Sequence, residues 1–281
     1  MMTDSIVVDG VCKSFGDFHL ENINMTLPRG CIIGMVGNNG AGKTTLMKCI
    51  SGAVIPDSGN VSFPHERRPG DIGIVFDECH LPMDLNCTKI SRIFAGLVPN
   101  WDAAGFALTL ERFGVPMDRK IKQLSRGMRM KVQTAIALSQ SPEVLMLDEP
   151  TAGLDPAARD EFLEDVMGFI QDEGHTVLIS SHITGDLERI ADYIAFIHDG
   201  KLVMFDEKDA IMERYGILKC GNMTDLERIG GESVVSVRRS EFGCGALVDD
   251  KQGLREAYPE AVVDDATLDD IFVYTVRGEG R

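Results

Sequence analysis

The chain has 281 residues, 44% of them hydrophobic, and carries 28 Lys+Arg against 44 Asp+Glu for a formal net charge of −16. That length and apolar share suit one large α/β domain, or one domain with a small appendage, around a sizeable core. The acidic balance excludes the overall basic footprint of a nucleic-acid binder, so no nucleic-acid partner is expected.

The longest apolar runs, CIIGMV at 31–36 and VLML at 144–147, have the length of buried strands. They fall far short of the roughly 18 residues of a membrane-crossing helix. The opening MMTDSIVVDG lacks a basic start followed by an apolar stretch, so no signal peptide is expected. The cysteines at 12, 31, 49, 79, 87, 220 and 244 are scattered, with no Cys-x-x-Cys pair or Cys/His cluster. Neither a disulfide framework nor a zinc site is expected, and reduced thiols fit a cytoplasmic chain.

In chain order, strands are expected at 5–8 and 18–27, where Ile23, Met25 and Leu27 alternate. CIIGMV is apolar on both faces, the pattern of a central strand. A helix over 45–50 follows a glycine-rich stretch, and strands at 60–63 and 72–76 come next. Residues from about 80 to 140 predict a helical insertion. Ile90, Ile93, Phe94 and Leu97 share one helical face behind a cap expected at Thr88. Phe106, Leu110 and Phe113 mark a second helix, and Met128, Val132, Ala135 and Ile136 a third. A strand returns at 144–147. Asp155 and Pro156 then open a helix with Phe162, Val166, Phe169 and Ile170 on one face. A strand at 176–181, a short helix at 186–193 and a hairpin of strands at 193–197 and 202–205 about HDGK complete the sheet. From about Asp206 acidic side chains dominate and the elements shorten: a helix at 207–216, strands at 233–237 and 245–248, and a last helix behind the capping box Thr267–Asp270. The expected division is therefore 1–205 and a solvated accessory segment, 206–281.

Chemistry concentrates in the first part. Gly37, Asn38, Asn39, Gly40, Ala41, Gly42, Lys43, Thr44 and Thr45 form a P-loop between a buried strand and a helix. Its glycines let backbone N–H groups turn toward phosphate oxygens, Lys43 brings a positive charge to the β- and γ-phosphates, and the Thr44 hydroxyl suits Mg²⁺. VLMLDEP ends an apolar strand in Asp148 and Glu149. Beside a P-loop, the first carboxylate can hold Mg²⁺ through water and the second can orient or deprotonate an attacking water. His182 follows the strand ISS at the same sheet edge, within reach of a γ-phosphate; a lone histidine at a strand end is also commonly structural. In LSRGM, Ser125 reads locally as the cap of a helix with Met128 and Val132 in its core.

Taken in order and spacing, GNNGAGKTT, LSRGM, LMLDEPTAGLDP and SSH resemble the nucleotide-binding subunit of an ABC transporter, over residues 1 to about 205. The resemblance implies an α/β P-loop NTPase domain of ABC type, with a mixed sheet, a helical insertion at about 80–140 and a small C-terminal accessory segment. It implies that the chain binds ATP with Mg²⁺ and hydrolyses it, with Lys43, Glu149 and His182 as catalytic residues and Thr44 and Asp148 at the metal. Ser125 and Gly127 resemble the signature turn that binds the γ-phosphate of ATP held by a second nucleotide-binding subunit, identical or not. Asp155 resembles the residue linking the two sites. Phe15, in KSFG, falls where the family stacks an aromatic on adenine, with Phe18 a close competitor.

Two departures stand out. The family's usual glycine and glutamine in the signature are Arg126 and Met128 here, and Asp77 or Glu78 occupies the place of its Q-loop glutamine. Asp77 can still reach a Mg²⁺-bound water, but a carboxylate donates no hydrogen bond. The S-x-G-M signature, the Trp101-Asp102 pair and the closing ATLDDIFVYTVRG are similar to bacterial exporter-type subunits, including the YtrB-like group. Such a subunit works from the inner face of the membrane on a separate integral permease. The rival reading, a soluble ABC ATPase without transport, meets no long coiled coil between Lys43 and Asp148 and no second cassette in the chain. A nonhydrolysing ATP sensor is disfavoured by Glu149 and His182.

Overall fold

In the structure, a computed structural model that describes residues 4–240 and 243–280, β1 (Asp4–Phe15) and β2 (Phe18–Pro28) pair antiparallel and lead into β3 (Ile32–Val36). The glycine-rich stretch follows, then α1 (Lys43–Ser51), β4 (Ser58–Ser62) and β5 (Ile72–Val75). Three helices come next: α2 (Cys87–Leu97), α3 (Ala103–Arg112) and α4 (Arg126–Leu138). The α/β alternation then resumes with β6 (Val144–Asp148), α5 (Pro156–Phe169), β7 (Thr176–Ser181), α6 (Thr184–Ile190), β8 (Tyr193–His198) and β9 (Lys201–Glu207). The last part holds α7 (Lys208–Arg214), β10 (Gly216–Cys220), α8 (Met223–Gly230), β11 (Val234–Ser240), β12 (Gly243–Val248), α9 (Lys251–Ala257), β13 (Val262–Asp265), α10 (Leu268–Arg277) and β14 (Glu279–Gly280).

Among the described residues these strands form three sheets, β2-β1-β4, β5-β6-β7-β3-β8-β9 and β13-β10-β12-β11-β14. In the central sheet β5, β6, β7, β3 and β8 run parallel and only the β8–β9 hairpin is antiparallel. Every residue of β3, β6 and β7 is buried, as their continuous apolar runs require of strands covered on both faces. One face packs Val36, Leu147, Ile179 and Phe196 against α5 and α6. The other packs Ile33, Met35, Met146 and Leu178 against α1 and the β1–β2 pair. Because β7 lies between β6 and β3, the carboxyl ends of these three strands meet at one edge, where open α/β sheets place ligands.

The helical insertion has its own core, with Phe106, Leu110, Leu124, Val132 and Ile136 buried. Two details differ from the sequence expectation. The cap of α2 is Asn86, whose side chain accepts from Lys89 N at 3.0 Å, while the Thr88 hydroxyl donates to Met117 O. Of the expected apolar face, Ile90 is buried but Ile93 and Leu97 are 46% and 68% exposed.

The accessory segment is not a detached solvated unit. One face of its sheet makes a core of its own, with Leu218, Leu226, Ala246 and Val248. On the other side, Ile217 and Leu247 of the sheet and Leu268, Ile271 and Phe272 of α10 belong to the same cluster as Leu187 and Ile190 of α6 and Phe196 of the central sheet. The change in composition near Asp206 falls inside β9. Surplus surface charge masked this packing, since the buried positions are few and spread over short elements. A chain ended after Tyr215 is therefore expected to lose its folded state. Each fully buried side chain of this kind contributes about 1.5–3 kcal/mol, and five of them approach the roughly 5–15 kcal/mol that holds a domain folded. Soluble yield and thermal midpoint check this, and a soluble truncation with the full-length midpoint would refute it.

All seven cysteines are free, and burial pushes the Cys87 thiol up to about 11, which quiets it.

Candidate active site

β3 ends at Val36, and the chain must turn at once to enter α1. Gly37 is required there by close approach, since a Cβ would lie 2.4 Å from the Ile197 carbonyl oxygen. Gly42 sits at φ 112 as the cap of α1, with no side-chain acceptor for the first-turn N–H groups and no acidic residue among them. A helix start without its own acceptor is an anion cradle. Residues 38–45 line a cavity of about 370 Å³ together with Phe18, Asp77, Asp148 and Glu149. A phosphate chain fits the exposed amides, and one ammonium faces three carboxylates in this lining.

That ammonium is Lys43, 5% exposed, whose Nζ donates to Gly37 O at 2.6 Å and lies 3.2 Å from Glu149 Oε1 in an ion pair. Asp148 is buried with both oxygens engaged: the Thr44 hydroxyl donates to Oδ2 at 2.6 Å and the Ser180 hydroxyl to Oδ1 at 2.6 Å. Parallel pairing of β6 and β7 sets Asp148 opposite Ser180. Thr44 and Asp148 thus present hard oxygen donors side by side, the donor set that Mg²⁺ takes.

Glu149 adopts φ 50, a left-handed conformation costing a non-glycine residue of order 1–3 kcal/mol. Its N–H donates to Ser180 O at 3.2 Å and to the Ser180 hydroxyl at 3.0 Å, which holds the turn in place. The turn swings the carboxylate off the strand axis toward Lys43 and toward His182, whose Nδ1 lies 2.5 Å from Glu149 Oε2. The His182 N–H also donates to that oxygen at 3.2 Å, and the imidazole is half exposed.

Ser125 caps α4, accepting from Met128 N at 3.2 Å, and Val132 is buried below it. Neither Ser125 nor Gly127 lines the cavity of its own chain. Asp155 caps α5, accepting from Ala158 N at 3.0 Å. Phe15 lies outside the lining, 50% exposed, with Lys13 Nζ 5.3 Å from its ring centroid. Phe18 does line the cavity, its ring packed against Gly42.

Sequence reading missed four features. Ser180 joins Asp148 to Glu149, and the only trace of it was a polar end to an apolar strand. The left-handed turn at Glu149 has no residue signal. Thr151 donates to buried Asp186 at 2.8 Å, tying the loop after Glu149 to α6. Finally, the two departures meet: Arg126 Nη2 lies 2.5 Å from Asp77 Oδ1, so the signature helix is paired with the wall of the nucleotide cavity.

A P-loop joined through Thr44 to a strand-end carboxylate, with an adjacent glutamate and a histidine just past the next strand, defines a P-loop ATPase. The sequence pattern of the family described as ABC transporter matches residues 20–152. The lantibiotic transport ATP-binding protein SrtF of Streptococcus pyogenes is 35% identical over 209 residues, spanning 72% of this chain and 90% of its own. The ABC transporter ATP-binding protein YtrB of Bacillus subtilis is 23% identical over 279 residues, 95% of this chain and 96% of its own, including the accessory segment. A solved ATP-binding subunit of an ABC transporter superposes with TM-score 0.66 at 25% identity, covering 74% of this chain and 91% of that one. The protein belongs to the ABC transporter ATP-binding subunits, a family of ABC ATPases.

Proposed function

We propose that the protein hydrolyses ATP to power a separate membrane permease, as part of an exporter, from the inner face of the cell membrane. The observation that carries this reading is the 2.6 Å hydrogen bond from Thr44 to Asp148, two oxygen-bearing side chains in the lining of the P-loop cavity beside Glu149. The amides of residues 37–45 and Lys43 bind the phosphates, and the open ring of Phe15 stacks on the base. Thr44 and Asp148 would hold Mg²⁺, with Asp77 in the same cavity lining, and the ion would supply charge neutralisation of the phosphates. Glu149 orients and deprotonates water, while His182 fixes the Glu149 carboxylate and meets the γ-phosphate.

Ser125 and Gly127 serve the nucleotide of a second nucleotide-binding subunit, a reading supported by their position outside their own cavity. A separate permease is supported by the match over 90% of the length of SrtF, a transport ATP-binding protein; among the described residues no helix is long and apolar enough to cross a membrane. The exposed Ile93 and Leu97 on α2 supply an apolar face for a permease helix in the layer that Arg126 joins to Asp77. Export is supported by the S-x-G-M signature.

Reconstitution with a multi-span permease that lacks its own ATPase tests this directly. The permease is expected to stimulate turnover, and Asp77→Ala to reduce stimulated turnover more than basal turnover. Equal loss in both would confine Asp77 to the chemistry, and absence of stimulation would reject the pairing.

A further inference from the structure

α6 begins just past His182, so its seat fixes where that imidazole stands. Its inner face, Leu187 and Ile190, packs in one cluster with Ile211 of α7 and with Leu268, Ile271 and Phe272 of α10. Two polar contacts converge on Glu188. Its Oε1 accepts the backbone N–H of Leu268, the first residue of α10, at 2.7 Å. Its carbonyl oxygen accepts from Lys208 Nζ, at the start of α7, at 3.0 Å. Both accessory helices that meet the ATPase domain here therefore hold the same residue. A carboxylate at the N-terminus of α10 also complements the helix dipole, and charge-assisted bonds of this kind are about twice as strong as neutral ones.

α10 reaches further. Phe272 lies 5.5 Å from Phe196, and Phe196 pairs in register with Val36, the residue before Gly37. Gly37, Asn38 and His182 share a cavity of about 220 Å³ with Phe272 and Arg277 of the same helix. On its other side α6 is held by Asp186, which binds Thr151 and faces Arg159. The helix that follows His182 is thus gripped between the nucleotide site and the accessory unit.

We propose that Glu188 is a positioning residue through which the accessory unit sets the placement of His182, and with it the rate of hydrolysis. This deepens the functional reading above and rests on it. A displacement of about 1 Å at a reacting group can cost on the order of a hundredfold in rate, so partial loosening of α6 is expected to cost less.

The test uses the full-length protein with MgATP. Glu188→Ala is expected to lower kcat about five- to tenfold with KM held within about twofold, since the P-loop itself is untouched. Glu188→Gln keeps an oxygen for the Leu268 N–H and is expected to recover most of the wild-type kcat. Lys208→Met removes the second grip while keeping the stem, and is expected to lower kcat about twofold. An unchanged kcat in Glu188→Ala, a parallel loss of affinity, or a Gln variant as impaired as the Ala variant would each overturn the proposal. Should Glu188→Ala fail to fold, Lys208→Met decides: wild-type kcat there also overturns it. A wild-type protein that binds no ATP or turns none over would instead overturn the functional reading.

Discussion

Glu149→Gln is expected to lower ATP turnover by roughly 10²–10⁴-fold, the contribution of a positioned general base, while ATP binding persists. The substitution keeps the shape of the side chain and removes its charge. The Lys43 ammonium, 3.2 Å from Glu149 Oε1, then loses this ion-pair partner and becomes more available to phosphate. Affinity should therefore hold or rise while the water-activating step is lost. The variant is expected to accumulate as an ATP-bound dimer, visible by size-exclusion chromatography with and without nucleotide. Wild-type turnover in this variant would assign the chemistry to another group.

Mixing Lys43→Ala with Ser125→Arg is expected to restore about a quarter of wild-type turnover, although neither variant works alone. If Ser125 acts on the partner's nucleotide, a mixed dimer contains one site with both faults and one with neither, because a two-fold interface pairs the chains reciprocally. Random pairing makes about half of the dimers mixed, and half of their sites are sound. Loss of the Ser125 cap costs α4 about 1 kcal/mol, small enough for the fold to survive. Turnover and ATP-dependent dimerisation are measured together on mixtures with proven subunit exchange. No recovery in such mixtures would reject independent sites acting across the dimer.

The parts of the site that lie in contiguous sequence were legible before any coordinates. The P-loop needs glycines at fixed places, and an apolar strand ending in Asp148-Glu149 leaves few other readings. The central strands were equally plain, since burial on both faces demands unbroken apolar runs. What escaped depends on where separate segments meet. Ser180 is one serine among many until β7 is set beside β6. The left-handed turn at Glu149 follows from its two bonds to Ser180 rather than from a residue preference. The cap of α2 moved from Thr88 to Asn86 because both residues are capable caps and only the tertiary bond from Thr88 to Met117 decides between them. The accessory segment misled for a related reason: an acidic surface says nothing of what Leu268 and Phe272 touch.

The ion pair between Asp77 and Arg126 makes two distant positions a single unit of exchange. A glutamine at 77 would leave an unmatched guanidinium at the first turn of α4, where the helix dipole repels a cation. Placing glycine at 126 would leave an unmatched carboxylate facing the phosphate cavity. Each change alone alters the net charge of that wall, and the two together leave it unchanged. A chimaera that borrows one of these loops from a relative inherits half of a charge pair, so the loops around 77 and 126 are interchangeable only as a set.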